Sequence, residues 1–133
     1  MFVIAFYGDA ESNLYMFQRN AKSCFHTKVI TNELTVKWGK HNYNNIQIIK
    51  GEFPKTADSI HDSKFSFVHL DVDLYRSTIE CLKFFYPRLV NGGIILVHDY
   101  HSDGIQKAFK EFLQSNKVQL IELTGSQCMI IKN

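Results

Sequence analysis

Apolar and polar positions change period along this chain of 133 residues. From residue 46 onward, short extended runs alternate with longer amphipathic ones. NIQIIKG (residues 45–51) is a β-branched run ended by Gly51, and FSFVHLDVD (65–73) is another, reached through a polar stretch from Asp58 to Lys64. Ser77 to Glu80 has the S-T-I-E spacing of a capping box, in which Ser and Glu side chains satisfy open backbone N–H groups. The helix it predicts carries Ile79, Leu82, Phe85, Tyr86 and Leu89 on one face, with Pro87 to kink or end it and Asn91-Gly92-Gly93 to stop it. GIILVHDY then reads as a strand, apolar until His98. Ile105, Ala108, Phe109, Phe112 and Leu113 fall at i, i+3, i+4, i+7 and i+8, the spacing of an amphipathic helix. VQLIELTGSQCMIIK closes the chain as two apolar runs around Thr124-Gly125-Ser126, a β-hairpin signature.

Strands separated by helices imply parallel pairing through right-handed crossovers. Strands apolar on both faces imply a sheet covered on both sides. The expectation is an α/β sandwich, mostly parallel, with an antiparallel hairpin at one edge.

The first 45 residues admit two readings. In one, FVIAFYG is a strand, Leu14, Phe17, Ala21 and Cys24 mark a helix, KVIT is a second strand and Leu34 to His41 a short helix. These make a complete βαβαβ half. In the other, the region is a remnant whose true first strand is missing.

Length predicts a single domain, residues 1–133, with enough surface to bury that no staple is needed. Hydrophobic residues at 45% and charged residues at 21% argue against disorder, and eleven Phe supply core volume. The net charge of +2 comes from dispersed Lys and Arg, which argues against a nucleic-acid partner. Cys24, Cys81 and Cys128 form no C-x-x-C pair and read as reduced thiols of a cytoplasmic protein, with Cys81 and Cys128 as small core residues. MFVIAFYGDA lacks the basic start and cleavage pattern of a signal peptide, and no apolar stretch is long enough to span a bilayer.

In open α/β sheets, ligands bind beyond the carboxyl ends of the strands. Asp71 and Asp73 lie at one such end and His98 and Asp99 at the next, joined by a single helix. His69, Asp71 and Asp73 share a face if the strand stays regular, and His101 follows in the loop. Charges gathered on one rim repel unless a cation or ligand compensates them, so Asp71 with His98-Asp99 is the functional candidate. Asp73 fits a turn or cap near Ser77 as well as it fits a site. His69 reads as a core or supporting residue, and His26, His41 and His61 as surface residues. No G-x-S-x-G, H-E-x-x-H, P-loop or G-x-G-x-x-G occurs.

The stretch VHLDVDLYRSTIECLKFFYPRLVNGGIILVHDY, with KGEFPKT before it, resembles the macrocin and mycinamicin type of sugar O-methyltransferase. The shared pattern is L-D-x-D-x-Y-x-S-T, a helix ending in Y-P-x-L, G-G, then an apolar strand ending in D-D-Y. The resemblance covers residues 46–133 and implies a Rossmann-like fold using S-adenosylmethionine, with residues 1–45 as a divergent or incomplete cofactor half. It implies that Asp71 and Asp99 are divalent-metal ligands, Mg²⁺ or Mn²⁺, beside the acceptor hydroxyl. His98 stands where the family has an Asp. It suits Mn²⁺ as a third ligand, or serves as a metal-free general base. The family's glycine-containing cofactor loop has only Tyr7-Gly8-Asp9 as a counterpart, with Glu33 or Asp9 as the ribose-binding acid. The implied partner is a small-molecule acceptor, a sugar hydroxyl. No nucleic acid or membrane is implied, and a homo-oligomer is compatible. The competing expectation is a methyltransferase-fold binding module without catalysis.

Overall fold

A computed structural model describes residues 2–7, 13–18 and 48–133. Strands β1 (Phe2–Tyr7), β2 (Asn13–Gln18) and β3 (Ile48–Glu52) lead to a 3-10 helix at Lys55–Ile60 and then β4 (Phe65–Asp71). Helix α1 (Tyr75–Phe85), a 3-10 turn at Tyr86–Arg88 and β5 (Leu89–Val97) follow. Helix α2 (Asp103–Ser115) and the hairpin β6 (Leu120–Glu122) and β7 (Cys128–Ile131) complete the described chain. One sheet joins the strands in the order β3-β2-β1-β4-β5-β7-β6.

The alternation of strand and helix after residue 46 and the closing antiparallel hairpin are as the hydrophobic pattern predicts. The sheet itself is mixed. Among the described residues only the β1–β4 and β4–β5 ladders are parallel. β2 runs antiparallel to both β1 and β3.

The expected helix through Leu14 and Phe17 is therefore corrected, because Asn13–Gln18 is a strand. Tyr15 and Phe17 are aromatic residues of a type common in strands. The helical spacing had been carried by Ala21 and Cys24, which lie outside the described residues, as do KVIT and Leu34 to His41. A complete βαβαβ half is not what β1 and β2 form.

Among the residues whose burial is described, the core lies on one face of the sheet. Val68 and Leu70 of β4, Ile95 and Val97 of β5, and Cys128 and Ile130 of β7 are all fully buried. Ladder register puts them in rows, Val68 beside Ile95 beside Ile130, and Leu70 beside Val97 beside Cys128. Ile79, Leu82 and Phe85 of α1 and Ile105, Ala108, Phe109 and Phe112 of α2 join the same cluster. Both long helices thus press on that face. The alternate positions Phe67, His69, Ile94, Leu96, Met129 and Ile131 are only half-buried. Cys81 and Cys128 are core residues as expected. Burial raises both thiols, Cys128 to about 12, so neither is a ready nucleophile.

Two local expectations change. The capping box does not form, because α1 starts at Tyr75 and Ser77 lies inside its first turn. The buried Thr78 hydroxyl instead donates to Leu74 O at 2.9 Å, beside the Thr78 N–H bond to the same carbonyl. Pro87 does end the helix, in the 3-10 turn, but Asn91-Gly92-Gly93 is part of β5. Phe65 pairs with Leu89 and Phe67 with Ile94, so residues 90–93 bulge opposite Ser66. The bulge restores the register that carries β5 to the rim beside β4.

Candidate functional site

β4 and β5 run parallel and end together, with Leu70 paired to Val97 and the His98 N–H donating to Leu70 O at 2.9 Å. That last bond extends the ladder one step and sets Asp71 and His98 side by side on the half-buried face. β1 ends level with them, Phe6 pairing with Asp71. Asp99 then leaves the strand with φ +56°, a left-handed backbone that only a few per cent of non-glycine residues adopt.

The outcome is a compact donor set. His98 Nδ1 lies 2.9 Å from Asp99 Oδ2 and 3.5 Å from Asp71 Oδ1. One ligand atom from each of Asp71, His98 and Asp99 falls within 4.8 Å of the others. Neither contact of His98 Nδ1 has hydrogen-bond geometry, so that atom is buried and without a hydrogen-bond partner. Two carboxylates converging on a buried imidazole nitrogen that makes no hydrogen bond fit a divalent cation, and the nitrogen suits a transition ion better than Mg²⁺. Asp71 is the most enclosed of the three, its side chain 23% exposed.

Asp73 takes the turn reading rather than the shared strand face. β4 ends at Asp71, and Asp73 turns out of the strand with φ +55°, exposed, so it does not share a face with His69 and Asp71. The N-cap of α1 is Leu74, which makes no side-chain bond. His69 sits half-buried two residues below Asp71, on the same face. Burial holds its imidazole below the ordinary value; Asp71 pulls it upward and His98 adds to the lowering. Its Nε2 is also buried without a hydrogen-bond partner. His61 is exposed, as expected, beside Asp62. Gly8, Asp9 and Glu33, the expected cofactor residues, lie outside the described residues, as do His26 and His41.

One feature of the rim was not legible in the pattern. The hairpin tip reaches it, with the Tyr100 N–H donating to Ser126 O at 2.7 Å and His101 Nε2 to Gly125 O at 2.8 Å. The sequence marks a turn at Thr124-Gly125-Ser126 but not which end of the sheet it visits. That follows only from β7 lying antiparallel against β5.

The mixed α/β sheet, with its acidic cluster at the carboxyl ends of two central parallel strands, has the methyltransferase fold of solved structures. The O-methyltransferase NovP superposes with a TM-score of 0.50 at 24% identity, over 53% of this chain and 31% of that one. The calicheamicin methyltransferase gives 0.50 at 20% identity, over 59% of this chain and 32% of that one. The family model of macrocin O-methyltransferase (TylF) matches residues 26–125, and the chain belongs to that family. A curated relative from Streptomyces olivaceus is 8-demethyl-8-(2,3-dimethoxy-alpha-L-rhamnosyl)-tetracenomycin-C 4'-O-methyltransferase. It is 29% identical over 69 residues, which are 52% of this chain and 26% of the relative. The chain thus spans about a quarter of the length of that relative. Among the described residues, no helix is long and apolar enough to cross a membrane.

Proposed function

We propose that this chain contributes the acceptor side of an S-adenosylmethionine-dependent O-methyltransferase acting on a hydroxyl of a small molecule, a sugar. The observation that carries the proposal is the convergence of Asp71, His98 and Asp99, with a buried His98 Nδ1 within ion-pair distance of both carboxylates but without a hydrogen bond. It lies inside the segment matched to the family. The sugar comes from the name of the curated relative, which acts on a rhamnosyl group.

Methyl transfer from a sulfonium is an in-line displacement, so the acceptor oxygen has to be aligned with the methyl group and lose its proton. Asp71, His98 and Asp99 would hold a divalent cation, Mn²⁺ in preference to Mg²⁺ because of the imidazole. A bound cation of this kind lowers the pKa of a coordinated hydroxyl and orients it. The ligand role requires His98 neutral, with Nδ1 free to donate its lone pair. Asp71, the least exposed of the three, would supply one of the carboxylate ligands. We place residues 46–133 in this acceptor half and assign cofactor contacts to Gly8, Asp9 and Glu33 by family resemblance alone.

Calorimetric titration of the chain with S-adenosylmethionine, with and without Mg²⁺ or Mn²⁺, tests the proposal. Cofactor heat is expected, and a separate Mn²⁺ heat that Asp71→Asn removes. In the same variant turnover should vanish while cofactor affinity stays largely intact. No heat under any condition would sink the enzyme reading in favour of a binding module without catalysis. The replacement of a family Asp by His98 is what speaks for that second reading.

A further inference from the structure

Among the described residues, the two non-glycine residues with positive φ are Asp73 and Asp99, and both sit at the rim. Such a backbone persists in a non-glycine residue only where its surroundings over-determine it. For Asp99 the surroundings act from both sides. Upstream, the His98 N–H is fixed to Leu70 O of β4. Downstream, the Tyr100 N–H is fixed to Ser126 O and His101 Nε2 to Gly125 O, while the Tyr100 ring packs edge-on against Phe109 at 5.6 Å. A carbonyl oxygen carries no proton, so Nε2 of His101 must be the donor.

The hairpin tip that supplies these acceptors has its own conformational demand. Gly125 has φ +83° with nothing within 4 Å of where a Cβ would stand, so the dihedral rather than the space calls for glycine. β7 pairs Cys128 with Val97, which returns the tip to the carboxyl end of β5. His101 is not one of the residues whose ligand atoms gather in the donor cluster. Its partner is the hairpin.

We propose that the β6–β7 hairpin tip positions the acceptor-site carboxylate Asp99, with His101 as its latch. The His101–Gly125 bond holds the turn after β5 in the left-handed state that folds Asp99 back to within 2.9 Å of His98 Nδ1. His101 is thus a positioning residue, acting through Asp99. The proposal rests on the reading of Asp99 as a ligand at the acceptor site.

The test compares the wild-type chain with His101→Ala and His101→Gln, since a Gln amide also donates. Two readouts are used: the Asp99 HN–Hα coupling by NMR, which reports φ without any ligand, and Mn²⁺ binding by paramagnetic resonance. In His101→Ala the coupling should move toward that of extended backbone and Mn²⁺ affinity should fall roughly tenfold or more. His101→Gln should restore both. An Asp99 coupling unchanged in His101→Ala overturns the latch, as does an equal loss in both variants. If the wild type binds no Mn²⁺, the cation reading fails, and the coupling alone still decides the latch.

Discussion

Gly92 and Gly93 are neighbours in one bulge and are needed for different reasons. Gly92 has φ +74° and open space where a Cβ would stand. A Cβ on Gly93 would come within 2.8 Å of Val90 O and 3.2 Å of Phe65 O, both rigid backbone. Asn tolerates left-handed backbone better than most residues. Gly92→Asn should therefore be nearly neutral, whereas Gly93→Asn should cost about 1–3 kcal/mol through overpacking. Urea unfolding checks this, with the midpoint lowered at constant slope only for the second. At this scale the sequence exposes identity but not conformation. Asp71, His98 and Asp99 were legible as candidates because strand ends can be read from hydrophobic runs. A turn at Asp73 was one of two readings, but the left-handed backbone of Asp73 and Asp99 was not legible, since Asp occurs in strands, caps and turns alike. That His69 Nε2 and His98 Nδ1 are buried without a hydrogen bond depends on what surrounds them, which no local pattern encodes.

Between the two helices a single carboxylate joins both partners. Glu111 of α2 accepts a bond from the Tyr75 hydroxyl and one from Lys83 Nζ at 3.0 Å, both from α1. Lys107 lies 4.9 Å above the Tyr75 ring, and a Cβ added at Gly104 would stand 3.3 Å from the Tyr75 backbone nitrogen. The hydrogen bonds from Tyr75 and Lys83 hold the Glu111 carboxyl below its ordinary value of 4.5. A depressed carboxyl means that the unfolded chain binds the proton first. The stabilisation is therefore complete above the ordinary carboxyl value and is lost as pH falls through the folded one. Glu111→Gln should lower thermal stability slightly at neutral pH and flatten its decline below about 4.5, where variant and wild type converge, the effect staying small because the group is exposed. Helix existence was legible from the spacing of Ile105 to Leu113. The S-T-I-E signature misled because a cap depends on where the preceding strand releases the chain, and β4 stops at Asp71 rather than Asp73.

Across the molecule, protection should follow the sheet. β4 and β5 have strand neighbours on both sides and a fully buried face, whereas β6 is short and lies at an edge. Amide exchange should be slowest at Val68, Leu70, Ile95 and Val97 and much faster at Leu120 to Glu122. Equal rates across these strands would contradict the placement of the core. The α/β class and closing hairpin were legible because periodicity changes cleanly after residue 46. The antiparallel β1–β2 pair was not, because six-residue apolar pieces fit either period. The β5 bulge has a further use. Lys132 closes it, accepting from Gly92 N–H at 2.7 Å, donating to Gly93 O at 2.9 Å, and reaching Pro87 O and Leu89 O through its ammonium. That seal lies at the start of β5, while Asp71, His98 and Asp99 lie beyond its other end. A sensor chip or resin coupled through residue 133 would therefore hold the protein by the far end and leave the rim facing the solution.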